Sequence, residues 1–111
     1  MYFSDNPKKP LKHHIPSGFA RQTTILPGQF KLFWFDNEPE EGPLHTTLKL
    51  SRKGETLQLT HTNGQTLIDS IHYTSQKNDI SYGRDPNDPD RWLYMLTPSP
   101  FKTNISKDAA L

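Results

Sequence analysis

The stretch from Gly54 to Tyr73, GETLQLTHTNGQTLIDSIHY, constrains this chain more than any other. Leu57 and Leu59 alternate with Thr56, Gln58 and Thr60, which is the period of a half-buried strand. Leu67, Ile71 and Tyr73 repeat that spacing beyond Asn63-Gly64. Asn-Gly supplies the positive φ that a type I′ turn demands at both central positions, and it can equally close a looser loop of about four or five residues. Either turn makes this stretch an antiparallel hairpin.

The flanking sequence continues the theme. Tyr2-Phe3 reads as a short extended piece, followed by a loop in which Pro7, Pro10 and Pro16 deny a helix. Ile25-Leu26-Pro27-Gly28 is a strand end meeting a Pro-Gly turn. Phe30, Leu32 and Trp34 then share one face and Phe33 and Phe35 the other, so residues 29–35 predict a central strand covered on both sides. Leu44 to Leu50 alternates again. Ile80-Ser81-Tyr82 is a short strand with Gly83 at a bulge or bend, Asp85 to Asp90 (DPNDPD) a rigid polar loop, and Trp92 to Leu96 the last strand. The pattern of about six to eight short strands, with no long amphipathic helix, predicts an all-β sandwich or small barrel. Residues 1–101 are expected to form one domain and residues 102–111 a flexible tail, in which Ser106–Ala110 could make a helical turn.

Hydrophobic content is only 32%, so six Phe, four Tyr and two Trp are expected to fill much of the interior. A net charge of +1 gives no global field for nucleic acid or an anionic membrane. The absence of cysteine excludes disulfides, zinc–thiolate sites and thiol catalysis. No apolar run approaches the ~20 residues of a membrane helix, so no membrane insertion is expected. The opening MYFSDNPKKP lacks the apolar core of a signal peptide.

LPGQFKLFWFDNEPEEGPLHTTLKLSRKGETLQL, LIDSIHY, DISYGRDPNDPDRW and the closing TPSP together resemble the lamin tail domain of the bacterial type, over about residues 25–100. Tyr2-Phe3-Ser4-Asp5 and Ile15-Pro16 resemble it more weakly. The resemblance implies an immunoglobulin-like β-sandwich without catalytic activity, attached to exported or surface proteins. Set against the family, the opening strands are missing, and Tyr2 aligns where a third strand would sit. One sheet should then lack strands and expose backbone N–H and C=O groups. That predicts self-association, or capture of a strand from a protein partner, by β-augmentation.

Few residues carry chemistry. Asp69 interrupts the apolar face of Leu67, Ile71 and Tyr73 and needs a partner, for which Arg84 is the candidate, making a structural pair. Asp85, Asn87, Asp88 and Asp90 offer oxygen ligands for calcium, but Pro89 breaks the spacing of a calcium loop and the same residues make good turns. His13, His14, His45, His61 and His72 suggest no complete metal set. There is no Gly-x-Ser-x-Gly elbow and no phosphate-binding glycine loop. No catalytic set, metal or cofactor is therefore expected. Trp34, Tyr82, Trp92 and Tyr94 could form an aromatic platform for carbohydrate or single-stranded nucleic acid, although core packing claims such side chains first. Lys8, Lys9 and Lys12, beside His13 and His14, are the best anion-contact patch, and three lysines imply weak, salt-sensitive nucleic-acid binding.

Overall fold

A computed structural model describes residues 1–105 and the backbone of residues 109–110. The chain is all-β, with antiparallel sheets, and divides into two compact units, Met1–Thr74 and Ser75–Leu111. Among the described residues no helix is long and apolar enough to cross a membrane.

In the first unit, β1 (Tyr2–Ser4), β2 (His13–His14), β3 (Glu55–Thr60) and β4 (Leu67–Tyr73) form an antiparallel sheet in the order β2-β1-β3-β4. The expected hairpin is β3–β4, paired from Glu55↔Tyr73 to Thr60↔Leu67. Its turn is the looser alternative: the His61 N–H bonds the Thr66 carbonyl at 2.8 Å, and Gly64 takes φ +71° while Asn63 does not go left-handed. The Asn63 carboxamide oxygen accepts the N–H groups of Gln65 and Thr66, so a side chain does the work a second left-handed residue would do. Phe3 packs edge-on against Phe33 and Phe35 at ring distances of 5.0 and 5.1 Å. Leu48 and Tyr73 are the buried apolar side chains of this unit, beside buried Ser4, His13, Thr46 and Thr60.

The central strand expected over residues 29–35 does not form. Trp34 makes a single parallel bridge to His45, and Asp36 a single antiparallel bridge to Lys49. A parallel connection takes a dozen or more residues, and the crossover 35–44 is too short to extend a ladder. Leu44 to Leu50 is likewise not a strand, although its alternation holds in burial, with Thr46 and Leu48 inside and Thr47 and Lys49 outside. There the Leu48 N–H donates to Thr46 Oγ1 at 3.2 Å, a local bond that competes with ladder pairing.

In the second unit, β5 (Ser81–Asp85), β6 (Asp88–Met95) and β7 (Ala109–Ala110) form an antiparallel sheet in that order. Leu93 and Met95 are its buried apolar residues, Met95 fully so. DPNDPD is not a long loop: Pro86 and Asn87 turn between Asp85 and Asp88, which already pair. The Asp85 and Asp88 carboxylates each accept the N–H two residues on, so these oxygens serve the turn. Gly83 sits within the ladder opposite Leu93, and the register shift falls after Arg84 instead. A Cβ at Gly83 would stand 2.8 Å from the Asn104 amide nitrogen, which donates to the Arg84 carbonyl at 2.7 Å. Ala109–Ala110 pairs with Met95 and Tyr94, whereas Ser106 to Asp108 of the expected helical turn lie outside the described residues.

Candidate functional site

Among the described residues β4 ends its sheet, where it pairs only with β3. Alternation turns Asp69, Ile71 and Tyr73 to the better-covered face and Ser70 and His72 outward. The register shift at Leu59/Thr60 pairs Leu59 with Asp69 and Thr60 with Leu67, leaving Ile68 unopposed. The expectation that Leu67 shares the covered face with Ile71 fails for this reason: Leu67 is 51% exposed and Ile68 44%. Across β1, β3 and β4 lies a mostly apolar cleft of about 170 Å³, lined by Phe3, Leu57, Gln58, Leu59, Asp69, Ser70 and Ile71. Small-molecule sites run to about 300–1,000 Å³, so this cleft is the size of a side chain, not of a ligand.

Asp69 lies in the first unit, where its carboxylate accepts the Ser70 N–H at 2.9 Å. Arg84 lies in the second, its guanidinium 4.7 Å over the Trp92 ring. Trp92 also stacks on Tyr82, which packs against Tyr94. The pairing of Tyr82 with Tyr94 and of Arg84 with Trp92 puts these four half-buried side chains in one row on the β5–β6 hairpin. The basic loop is less basic than its composition. Lys8 and Lys9 are exposed, but the Lys12 ammonium is paired with Asp5 at 2.5 Å.

Trp34 is not core. It is 51% exposed and stacks nearly parallel on His45, with a 9° interplanar angle at 5.8 Å. Its backbone is held by the Trp34 N–H to the Leu44 carbonyl and by the Thr46 N–H to its own carbonyl, both at 2.8 Å. His45 Nδ1 is 2.6 Å from Asp36 Oδ2 and 3.6 Å from Glu41 Oε2. Desolvation alone would raise the Asp36 carboxyl, but hydrogen bonds from His45 and the Glu38 N–H, and the charge of His45, hold it below the usual range. Sequence reasoning missed this group of three. The signal available was the acidic run 36–41 followed by a histidine four residues after Glu41.

No family model, curated protein or solved structure matches the chain.

Proposed function

We propose that this chain is a non-catalytic interaction module of the lamin-tail, immunoglobulin-like type, belonging to an exported or surface-associated protein. It binds an extended segment of a protein partner, or of a second copy, along the outer edge of β4. The observation that carries this reading is that β4 presents the exposed apolar pair Leu67 and Ile68 and, through Asp69 to Ile71, one wall of a cleft sized for one side chain. Strand addition uses this combination: main-chain bonds along an edge give affinity, and pockets beside it take alternate side chains. Edges are ordinarily blunted by charge or proline, and Leu67-Ile68 offers neither. The test is hydrogen exchange of the β4 amides with and without a peptide copying residues 66–74. Added protection across Leu67–Tyr73 supports strand addition, and unchanged exchange at saturating peptide refutes it.

The second reading, a carbohydrate- or nucleic-acid-binding accessory domain, is favoured by the Tyr82, Arg84, Trp92 and Tyr94 row. Stacked aromatics with a cationic side chain suit single-stranded bases. Tryptophan quenching by oligothymidylate or a soluble oligosaccharide, lost in Trp92→Ala, would support it.

A further inference from the structure

We infer that Asp36, Glu41 and His45 form a binding site for a divalent first-row metal ion of the Zn2+ class. One ligand atom from each of Asp36, Glu41 and His45 lies within 4.8 Å of the other two. One imidazole nitrogen and two carboxylate oxygens are a ligand set that Zn2+ accepts at about 2.0–2.2 Å, which places donors on a tetrahedral ion about 3.3 Å apart. The distances from His45 Nδ1, 2.6 and 3.6 Å, bracket that value. A fourth position remains for water or a partner's group.

What surrounds the three ligands is the kind of support metal ligands receive. Asp36 uses its other oxygen, Oδ1, to accept the Glu38 N–H at 3.0 Å, which aims Oδ2 at His45. His45 is fixed by the Trp34 ring on its face and by its own N–H to the Gly42 carbonyl at 3.1 Å. Gly42 lies against the imidazole, where an added Cβ would be 3.8 Å from Cδ2. Glu41 is carried by the short turn Pro39–Glu41.

Charge argues the same way. A neutralising pair would need Asp36 and His45 alone, yet Glu38, Glu40 and Glu41 stand beside them. Lys49 is opposite Asp36 in the backbone bridge, but its ammonium makes no ion pair with the group among the described residues. A divalent cation would relieve this excess of negative charge, and the imidazole favours Zn2+ over Mg2+ or Ca2+. The site is independent of the strand-binding reading.

The test is calorimetric titration of the full chain with zinc chloride, alongside the absorption spectrum of the Co2+-substituted protein. The expected result is saturable binding of one ion, visible ligand-field bands of low coordination, and no competition from Mg2+. His45→Gln and Glu41→Gln should each weaken binding at least tenfold, whereas His72→Gln should leave it unchanged. Glu41→Gln decides the matter if His45→Gln unfolds, because the Glu41 side chain is largely exposed. Failure to saturate, or affinity unaltered in folded Glu41→Gln, overturns the inference. So does loss of binding in His72→Gln.

Discussion

The carbonyl oxygen of Tyr73 occupies the space where a side chain on Gly54 would stand: an added Cβ would lie 2.5 Å from it and 2.8 Å from the Thr74 Cα. Gly54 also takes φ +116°, a conformation that L side chains rarely adopt. Gly64 at the hairpin turn has φ +71° but meets only the flexible Leu11 side chain, at 3.5 Å. Gly54→Ala is therefore expected to destabilise by about 2–4 kcal/mol, through both clash and strain. Gly64→Ala should cost about 1–2 kcal/mol through conformation alone. Urea unfolding midpoints of the two variants check the ranking, and equal losses would contradict it.

Tyr73 holds the same corner from the other side. Its hydroxyl donates to the Ser51 carbonyl at 2.8 Å and lies 3.2 Å from Glu55 Oε1, which itself accepts the Ser51 N–H. Tyr73→Phe should cost about 1–2 kcal/mol, since a carbonyl and a carboxylate lose a donor. Desolvation and the nearby Glu55 charge push the phenol up to about 12. The folded state thus keeps its proton while the unfolded chain ionises near pH 10. This stability is present below about pH 10 and lost as the pH rises from there through about 12. Thermal melts of wild type and Tyr73→Phe across that window should converge.

His13 gives a dependence at the acid end. Its ring is 6% exposed, and Nδ1 accepts the Thr47 N–H at 3.2 Å, which fixes the neutral tautomer with the proton on Nε2. Nε2 is buried with no hydrogen-bond partner. Burial, and then the neighbouring His14, hold the His13 pKa below the ordinary value of 6.5. The unfolded chain takes up a proton that the folded one resists, so this stability is present above about pH 6.5 and lost as the pH falls below it. His13→Gln should flatten the slope of melting temperature between about pH 7 and pH 5. An unchanged slope would show that His13 does not titrate in the unfolding transition.

The turn at residues 61–66 depends on Asn63 as well as on Gly64. Asn63 Oδ1 accepts two backbone N–H groups and its Nδ2 donates to Thr66 Oγ1 at 2.9 Å. Asn63→Ala is expected to cost about 1–2 kcal/mol. The measurement is again the urea midpoint, read beside that of Gly64→Ala.

What the sequence made legible was local. Alternation around Asn63-Gly64 marked the hairpin from Glu55 to Tyr73, and Ile80-Ser81-Tyr82 and Trp92 to Leu96 marked two further strands, but not that the chain turns at Pro86-Asn87 to pair them. Alternation also sorted Thr46 to Lys49 by face. It could not say whether a face is matched by a hydrogen-bonding neighbour, which is why Phe30–Phe35 looked like a central strand and is not one. The exposed stacking of Trp34 on His45 was hidden for a related reason. An aromatic residue reads as core until the bridging segment that turns it outward is known. The i,i+4 spacing of Glu41 and His45 was legible, but Asp36 joins them only because the segment after Trp34 doubles back.

The β4 edge is the centre of this account, and its sharpest test changes two exposed side chains that the fold does not need. Leu67→Lys/Ile68→Lys should leave the melting temperature within the effect of ordinary surface substitutions, about 0.5 kcal/mol each. Sedimentation velocity over increasing concentration compares it with the wild type. The wild-type weight-average mass should climb toward a dimer, and the double lysine variant should stay monomeric. A variant that associates as strongly as the wild type would contradict strand addition at this edge, and a wild type that remains a monomer at every concentration would exclude a second copy as the occupant.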